Sequence, residues 1–179
     1  MERRISLSLR ATDAVEARLR RHAPPSVLRA AYRVGWWILR PWWFLARPQT
    51  IGVKAVVRHG ERVLLVRHSY GHRRQWDLPG GFVRDGEDPA VALRRELGEE
   101  LGIVPDAARL IASAPSRIDH KREVIHVYAV DVVGEGTTPD AAELADVRWE
   151  HRERLPQDAS RFTRRMVARS YWELWDEEA

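Results

Sequence analysis

The 179-residue chain contains no cysteine, and only two of its thirty basic residues are lysines. Without cysteine it forms no disulfide framework, no Cys-ligated zinc site and no thiol nucleophile. The first nine residues include Arg3 and Arg4 but no apolar run long enough for a secretory signal. We therefore expect a cytoplasmic protein, and this length is sufficient for one ordinary domain with a buried core.

Positive charge is concentrated at one end of the chain. The formal net charge is +4, which taken alone favours a nucleic acid or an anionic membrane as partner. Residues 1–50 hold 10 Arg and 3 acidic residues, a net charge of +7, whereas residues 51–179 hold 20 basic and 23 acidic residues, a net charge of −3. The larger part of the chain is thus mildly acidic, and we expect no nucleic-acid partner.

The basic end of the chain is predicted to be helical but not to span a membrane. Residues 27–46 are largely apolar, yet three arginines interrupt them, and a spanning helix does not carry such charges near its middle. Pro41 is expected to end the helix. We predict an N-terminal helical extension over residues 1–49, with helices at 12–22 and 26–40.

One eight-residue stretch of this extension contains four tryptophans: Trp36, Trp37, Trp42 and Trp43. Tryptophan and arginine on an amphipathic helix suit a peripheral membrane contact. The same aromatic residues also suit packing against the rest of the chain or a homodimer interface. Of these alternatives, we favour packing or dimerisation.

Residues 50–179 are predicted to form one domain of mixed strands and helices. The sequence predicts a hairpin in the first part of this domain. Apolar residues alternate with other residues over 51–57, residues 59–61 suit a turn, and residues 63–66 are an apolar run. The strands and helices lack the regular βαβ alternation of a doubly wound sheet, so we expect an α+β fold, an α/β/α sandwich with a mixed sheet. Further elements are expected at 124–133 and 147–149 (strands) and 162–175 (helix).

One further helix is predicted at residues 88–101. Asp88 is placed to cap its first turn, Pro89 suits the first helical position, and Gly102 suits the end. Leucines recur every four residues along it and predict a stripe that faces the core: Leu93, Leu97 and Leu101.

Three carboxylates share a neighbouring face of this helix, because Glu96, Glu99 and Glu100 are spaced i, i+3 and i+4. Such a cluster repels itself, and bound cations offset that repulsion. Hard oxygen donors suit Mg²⁺, or Mn²⁺ in its place. A solvated acidic helix face is the alternative interpretation.

The residues around these carboxylates resemble the Nudix box, Gly-x5-Glu-x7-Arg-Glu-U-x-Glu-Glu-x-Gly-U, where U is aliphatic. All seven fixed positions and both aliphatic positions are matched, by Gly81, Glu87, Arg95, Glu96, Leu97, Glu99, Glu100, Gly102 and Ile103. The resemblance to Nudix hydrolases extends over about residues 50–177. It implies a sandwich fold and metal-dependent cleavage of a nucleoside diphosphate linked to another moiety.

The resemblance also assigns roles by position. It implies that Glu96, Glu99 and Glu100 bind the metal, with the Gly80 carbonyl and Glu143 as further ligands. One of the three glutamates, or a water that they orient, would act as the base, and Glu96, Glu99 and Arg95 are the catalytic candidates. Arg95 would orient a catalytic glutamate. Structural roles in the box fall to Gly81, Glu87 and Gly102.

Substrate contacts are less firmly indicated. Arg67 and Arg73 precede the box and are candidates for phosphate binding, although a solvated basic loop is the alternative. Trp76 is a candidate for stacking on the substrate, and core packing is its alternative. A nucleoside triphosphate, a nucleotide sugar and ADP-ribose all remain open as the small-molecule nucleotide substrate. A Nudix-like protein that senses a nucleotide without hydrolysing it is the competing function.

Overall fold

A computed structural model describes residues 23–46, 49–69, 75–116 and 122–172. The helix predicted at 12–22 lies outside these described residues, as does the end of the predicted closing helix. The helices are α1 (Pro25–Ala46), α2 (Pro89–Leu101) and α3 (Arg161–Trp172). The strands are β1 (Gln49–His59), β2 (Arg62–His68), β3 (Arg109–Ser116), β4 (Arg122–Asp131) and β5 (Leu144–His151).

The five strands form one mixed sheet in the order β3-β4-β1-β2-β5. β1 runs parallel to β4, whereas the other three neighbouring pairs are antiparallel. The predicted hairpin is β1–β2, and its turn uses Gly60 at a positive φ of 56°. The mixed sheet expected from the sequence is therefore confirmed.

Each face of the sheet is covered by a hydrophobic core and a helix. On one face, β1 presents Val53, Ala55 and Val57 to the leucine stripe of α2. On the other face, Val56 joins buried residues of α3, including Met166 and Val167. Because alternate residues of a strand point to opposite faces, β1 contributes to both cores. This arrangement confirms the predicted α/β/α sandwich.

Two details differ from the sequence prediction. α1 continues through Pro41, where the helix was expected to end, and finishes at Ala46. Proline removes one backbone donor, but its φ is already close to the helical value, so the helix can continue past it. β3 was not predicted, since Pro115 and small residues hide its pattern. Proline is tolerated there because β3 lies at the edge of the sheet.

None of the helices in the described residues is long and apolar enough to cross a membrane.

The ends of α2 match the sequence prediction. Asp88 Oδ1 accepts hydrogen bonds from the amides of Ala90 and Val91 at 2.8 and 3.3 Å. At the other end, Gly102 adopts the left-handed conformation with φ 69°, and its amide donates to the carbonyl of Gly98 at 3.1 Å. These caps fix the length of the helix that carries the acidic cluster.

Two alanine substitutions, one within α2 and one at the residue that ends it, are expected to change stability in opposite directions. Gly102→Ala should lower the free energy of unfolding by about 1–2 kcal/mol, since alanine resists a positive φ and its Cβ would meet Thr138 Oγ1. Gly98→Ala should raise it by roughly 0.5–1 kcal/mol, because a Cβ there meets nothing within 4 Å. Urea unfolding of both variants measures the difference, and equal shifts would contradict the cap assignment.

Candidate active site

A bidentate ion pair fastens the loop before α2 to the helix. Arg95 Nε lies 2.9 Å from Glu87 Oε1, and Arg95 Nη2 lies 2.9 Å from Glu87 Oε2. The same Nη2 donates to the carbonyl of Phe82 at 3.0 Å, and the Arg84 amide donates to Glu87 at 2.8 Å. Hydrogen bonding to Arg95 lowers the pKa of Glu87. Such fork-to-fork pairs fix orientation as well as distance, so Arg95 and Glu87 set the shape of the loop.

Arg95 also brings two of the three clustered carboxylates together. Its Nη1 atom lies 2.6 Å from Glu96 Oε1 and 3.5 Å from Glu99 Oε2. Arg84 Nη2 approaches the other oxygen of Glu99 at 3.9 Å. The guanidinium thereby offsets part of the repulsion that the spacing of these glutamates creates.

Gly80 and Gly81, the glycine pair, lie against the carboxylates of Glu100 and Glu96. Glu100 Oε2 accepts the amide hydrogen of Gly80 at 3.0 Å. A Cβ added to Gly81 would lie 2.5 Å from the carboxylate of Glu96, and one added to Gly80 would overlap the Val53 carbonyl oxygen. Glycine is therefore required at both positions, where backbone, sheet and carboxylates approach one another closely.

The glycine pair is held along β1 by backbone hydrogen bonds. The Pro79 carbonyl accepts from Ala55, and the Gly81 carbonyl accepts from Val53, both at 2.9 Å. The Gly80 amide points instead to Glu100. The segment that carries the Gly80 carbonyl thus lies between the central strand and the acidic face of α2.

Burial sets the proton affinity of two clustered carboxylates. Glu100 is only 2% exposed, and this burial raises its pKa to about 7, although the positive charge of Lys54 opposes the rise. Burial also raises the pKa of Glu96, against the opposing effect of Arg95. Glu99 is more open, with 42% of its side chain exposed. The cluster therefore combines two desolvated carboxylates with one that faces solvent.

The turn that carries Glu143 is attached to the end of α2. The Asp140 amide donates to the Glu100 carbonyl at 2.8 Å, and the Ser69 amide donates to the Glu143 carbonyl at 2.8 Å. The Glu143 residue is 8% exposed. These bonds bring the turn at Glu143 to the part of the helix where Glu100 lies.

The residues predicted to bind substrate are not all placed with the carboxylates. Trp76 is 1% exposed, and the guanidinium carbons of Arg67 and Arg148 lie 4.4 and 4.9 Å from the centroid of its ring. Arg67 also pairs with Asp158 at 2.8 Å. Trp76 belongs to the core on the α3 face of the sheet, opposite to α2. Arg73 lies outside the described residues.

The ion pair between Lys54 and Asp77, which was not predicted from the sequence, lies next to the site. Lys54 Nζ donates to Asp77 Oδ2 at 2.9 Å and to the Leu78 carbonyl at 2.8 Å. Burial opposes both charges, but their attraction raises the pKa of Lys54 and lowers that of Asp77. The pair anchors the backbone just before the glycine pair. A lone lysine in the apolar run of β1 was the available signal.

The donor atoms of the acidic face are of the type that hard divalent cations prefer, although their side chains are not arranged as a closed metal site. Glu96 and Glu100 converge on one glycine pair, and Glu96 and Glu99 converge on one guanidinium nitrogen. In the described ranges, no group of three His, Asp or Glu side chains stands ready to hold a metal ion. All the candidate donors are oxygens, the ligand type that Mg²⁺ and Mn²⁺ prefer.

Comparisons with known proteins agree with this geometry. The family model described as "NUDIX domain" matches residues 48–170. Curated relatives include a CMP-5'-(N-acetyl-N-hydroxy-3-aminopropyl)phosphonate hydrolase of Streptomyces rubellomurinus, 33% identical over 55% of this chain. An NAD-capped RNA hydrolase NudC of Pectobacterium atrosepticum is 30% identical over 56% of the chain, and an ADP-ribose pyrophosphatase of Methanocaldococcus jannaschii is 31% identical over 47%. The matched region spans 50%, 38% and 52% of these relatives, respectively.

Solved structures show the same fold. A MutT NUDIX hydrolase from Burkholderia pseudomallei superposes with a TM-score of 0.62 and 25% identity, covering 68% of this chain and 97% of that one. The NUDIX domain of Shewanella oneidensis NrtR, complexed with ADP ribose, superposes with a TM-score of 0.58 and 22% identity, covering 75% of this chain and 92% of that one. Because the family model matches more than half of the chain, the protein belongs to the Nudix hydrolase family.

Proposed function

We propose that the protein is a metal-dependent pyrophosphohydrolase that cleaves a nucleoside diphosphate linked to another moiety. The convergence of Glu96 and Glu100 on Gly80–Gly81, with Glu99 beside them on Arg95, carries this proposal. A pyrophosphate is anionic and is repelled by three carboxylates. The same surface becomes favourable to phosphate when a divalent cation lies between them.

The metal is proposed to be Mg²⁺, with Mn²⁺ as a substitute. Its ligands would be Glu96, Glu99 and Glu100, with the Gly80 carbonyl and Glu143 as further donors. When bound, the ion supplies charge neutralisation at the phosphate oxygens. The bidentate pair of Arg95 and Glu87 holds the loop, and Arg95 keeps Glu96 and Glu99 in place. This positioning is what the chain contributes before any substrate arrives.

In the proposed reaction, a water oxygen attacks one phosphorus of the pyrophosphate. The bond from that phosphorus to the bridging oxygen breaks, and the leaving phosphate takes its electron pair. A carboxylate of the cluster accepts the proton of the attacking water. Burial raises the pKa of Glu96 and Glu100, which strengthens each as a base when ionised.

The substrate class is proposed from the names of three relatives. They are called hydrolases of a CMP-linked phosphonate, of NAD-capped RNA and of ADP-ribose. A nucleotide with a second group attached is common to these names. We propose the same general class here, as a small molecule, with nucleotide sugars, ADP-ribose and nucleoside triphosphates as the compounds to compare.

The test is turnover of a nucleotide panel by the full chain with Mg²⁺, with the products resolved by chromatography. We expect a nucleoside monophosphate and a second phosphorylated product from at least one compound, and no products in the presence of a chelator. Reaction in ¹⁸O-labelled water then shows which phosphorus is attacked.

Binding without turnover would contradict the proposal. If calorimetry detects a panel nucleotide that is not cleaved with either Mg²⁺ or Mn²⁺, the competing nucleotide-sensing function is supported instead.

A further inference from the structure

The turn at residues 140–143 lies against the C-terminal end of α2. The Asp140 amide donates to the Glu100 carbonyl, and the Thr138 amide donates to the Leu101 carbonyl, both at 2.8 Å. The last carbonyls of a helix have no partner within the helix, so these bonds replace the missing ones. The position of the turn and the position of Glu100 are therefore linked.

Three successive carbonyls of this turn accept hydrogen bonds from other segments. Those of Ala142 and Glu143 accept from the Oγ and the amide of Ser69, at 2.7 and 2.8 Å. Ser69 follows β2 and is 2% exposed. The carbonyl of Ala141 accepts from Arg29 Nε of α1 at 2.5 Å. Donors from two separate segments therefore hold the turn.

A second arginine of α1 holds Ser69 itself. Arg33 Nε donates to the Ser69 carbonyl at 3.3 Å. Arg29 and Arg33 are four residues apart and therefore lie on the same side of α1. The helix lies outside residues 48–170, which the family model matches. Two guanidiniums from outside the family domain are thus bonded to the segments that place Glu143.

We propose that Arg29 and Arg33 are positioning residues of the active site, which act through the turn at residues 140–143 on the metal-binding carboxylates. This inference rests on the proposed function, in which Glu100 and Glu143 bind the metal. Outer residues that hold metal ligands in place typically change metal affinity by about ten- to a hundredfold when they are removed. A guanidinium suits this task, because its charged N–H groups make strong and directional hydrogen bonds.

The positive charge of the two arginines predicts the opposite effect. Removing Arg29 and Arg33 lowers the repulsion that a bound cation would meet, so by charge alone metal binding should become tighter. Loss of positioning should weaken metal binding, because the turn and its Glu143 would no longer be held in one place. The direction of the change in metal affinity therefore separates the two effects.

The experiment compares Mn²⁺ binding by the full chain and by its double variant Arg29→Met/Arg33→Met, followed by electron paramagnetic resonance without nucleotide. Methionine keeps an unbranched side chain but donates no hydrogen bond. We expect the affinity for Mn²⁺ to fall about tenfold. Hydrogen exchange at the amides of Ser69 and of residues 142–144 should become faster in the variant, whereas exchange in β1 should stay unchanged.

The matched control is Arg154→Met/Arg165→Met, which removes the same charge from two exposed arginines. Arg154 follows β5, and Arg165 lies on α3, which packs on the face of the sheet opposite to α2. This control should bind Mn²⁺ like the parent protein. Parental or tighter Mn²⁺ binding by Arg29→Met/Arg33→Met, or an equal loss in the control, would overturn the proposal.

Failure of the proposed function gives a different result, which is absence of Mn²⁺ binding by the parent protein itself. In that case the exchange rates at Ser69 and at residues 142–144 decide the role of the two arginines. Faster exchange in Arg29→Met/Arg33→Met shows that they hold the turn, and unchanged exchange overturns the inference.

Discussion

Glu99→Gln and Glu96→Gln are each expected to reduce kcat by about a thousandfold or more, whereas the fold remains intact. Glutamine keeps the shape of the side chain but removes the negative charge that would hold a cation against the substrate phosphates. It also cannot accept a proton from the attacking water. Glu99 is 42% exposed, so replacing it leaves no buried cavity.

The measurement is steady-state turnover of the substrate found in the nucleotide panel, with circular dichroism and urea unfolding as checks on the fold. Glu153→Gln is the control, because Glu153 is 70% exposed and lies beyond β5, away from the glycine pair. It should leave kcat unchanged. Near parental rates in both Glu99→Gln and Glu96→Gln would remove the acidic cluster from the proposed chemistry.

Much of the scaffold around this cluster could be predicted from local sequence. Asp88 and Gly102 mark the ends of α2 because their side chain and backbone suit a helix cap. The leucine stripe orients the helix, since only one side of it can face the sheet. Those two signals place the three glutamates near the core before any tertiary contact is known.

Other features depend on contacts between distant segments and could not be predicted in this way. The depth of Glu100 is set by the segment around Gly80, which pairs with β1 and covers the carboxylate. The ion pair between Lys54 and Asp77 joins residues that are 23 positions apart in the sequence. Trp76 illustrates the same limit, because it is buried in the core on the α3 face of the sheet and the guanidiniums over its ring come from β2 and β5.

Glu100→Gln is expected to make the metal-free protein more stable at pH 8, by up to about 3 kcal/mol, while abolishing turnover. The pKa of Glu100 is about 7 in the folded protein and 4.5 is its ordinary value. Between these two values, the folded state binds more protons than the unfolded state. The stabilising proton is therefore lost as pH rises from 4.5 through 7. Above that range, the parent protein carries a buried charge that glutamine removes.

The hydrogen bond to the glycine pair need not be lost in this variant. In the parent protein the carboxylate of Glu100 accepts the Gly80 amide hydrogen at 3.0 Å. Glutamine retains a side-chain oxygen that can accept the same hydrogen bond. The gain should therefore appear in full at pH 8 and vanish near pH 4, where the parent carboxyl is protonated in both states. Urea unfolding in the presence of a chelator, at both pH values, measures this difference.

Glu99→Gln is the matched control for stability, because it removes a carboxylate from the same cluster but at an exposed position. Its free energy of unfolding should change by no more than roughly 0.5 kcal/mol at either pH. Added Mg²⁺ should stabilise the parent protein, since a ligand that binds the folded state shifts unfolding, and should stabilise Glu100→Gln less. If Glu100→Gln is instead less stable at pH 8, the buried carboxylate is favourable without metal. In that case its burial belongs to the packing of the fold and not to the proposed site.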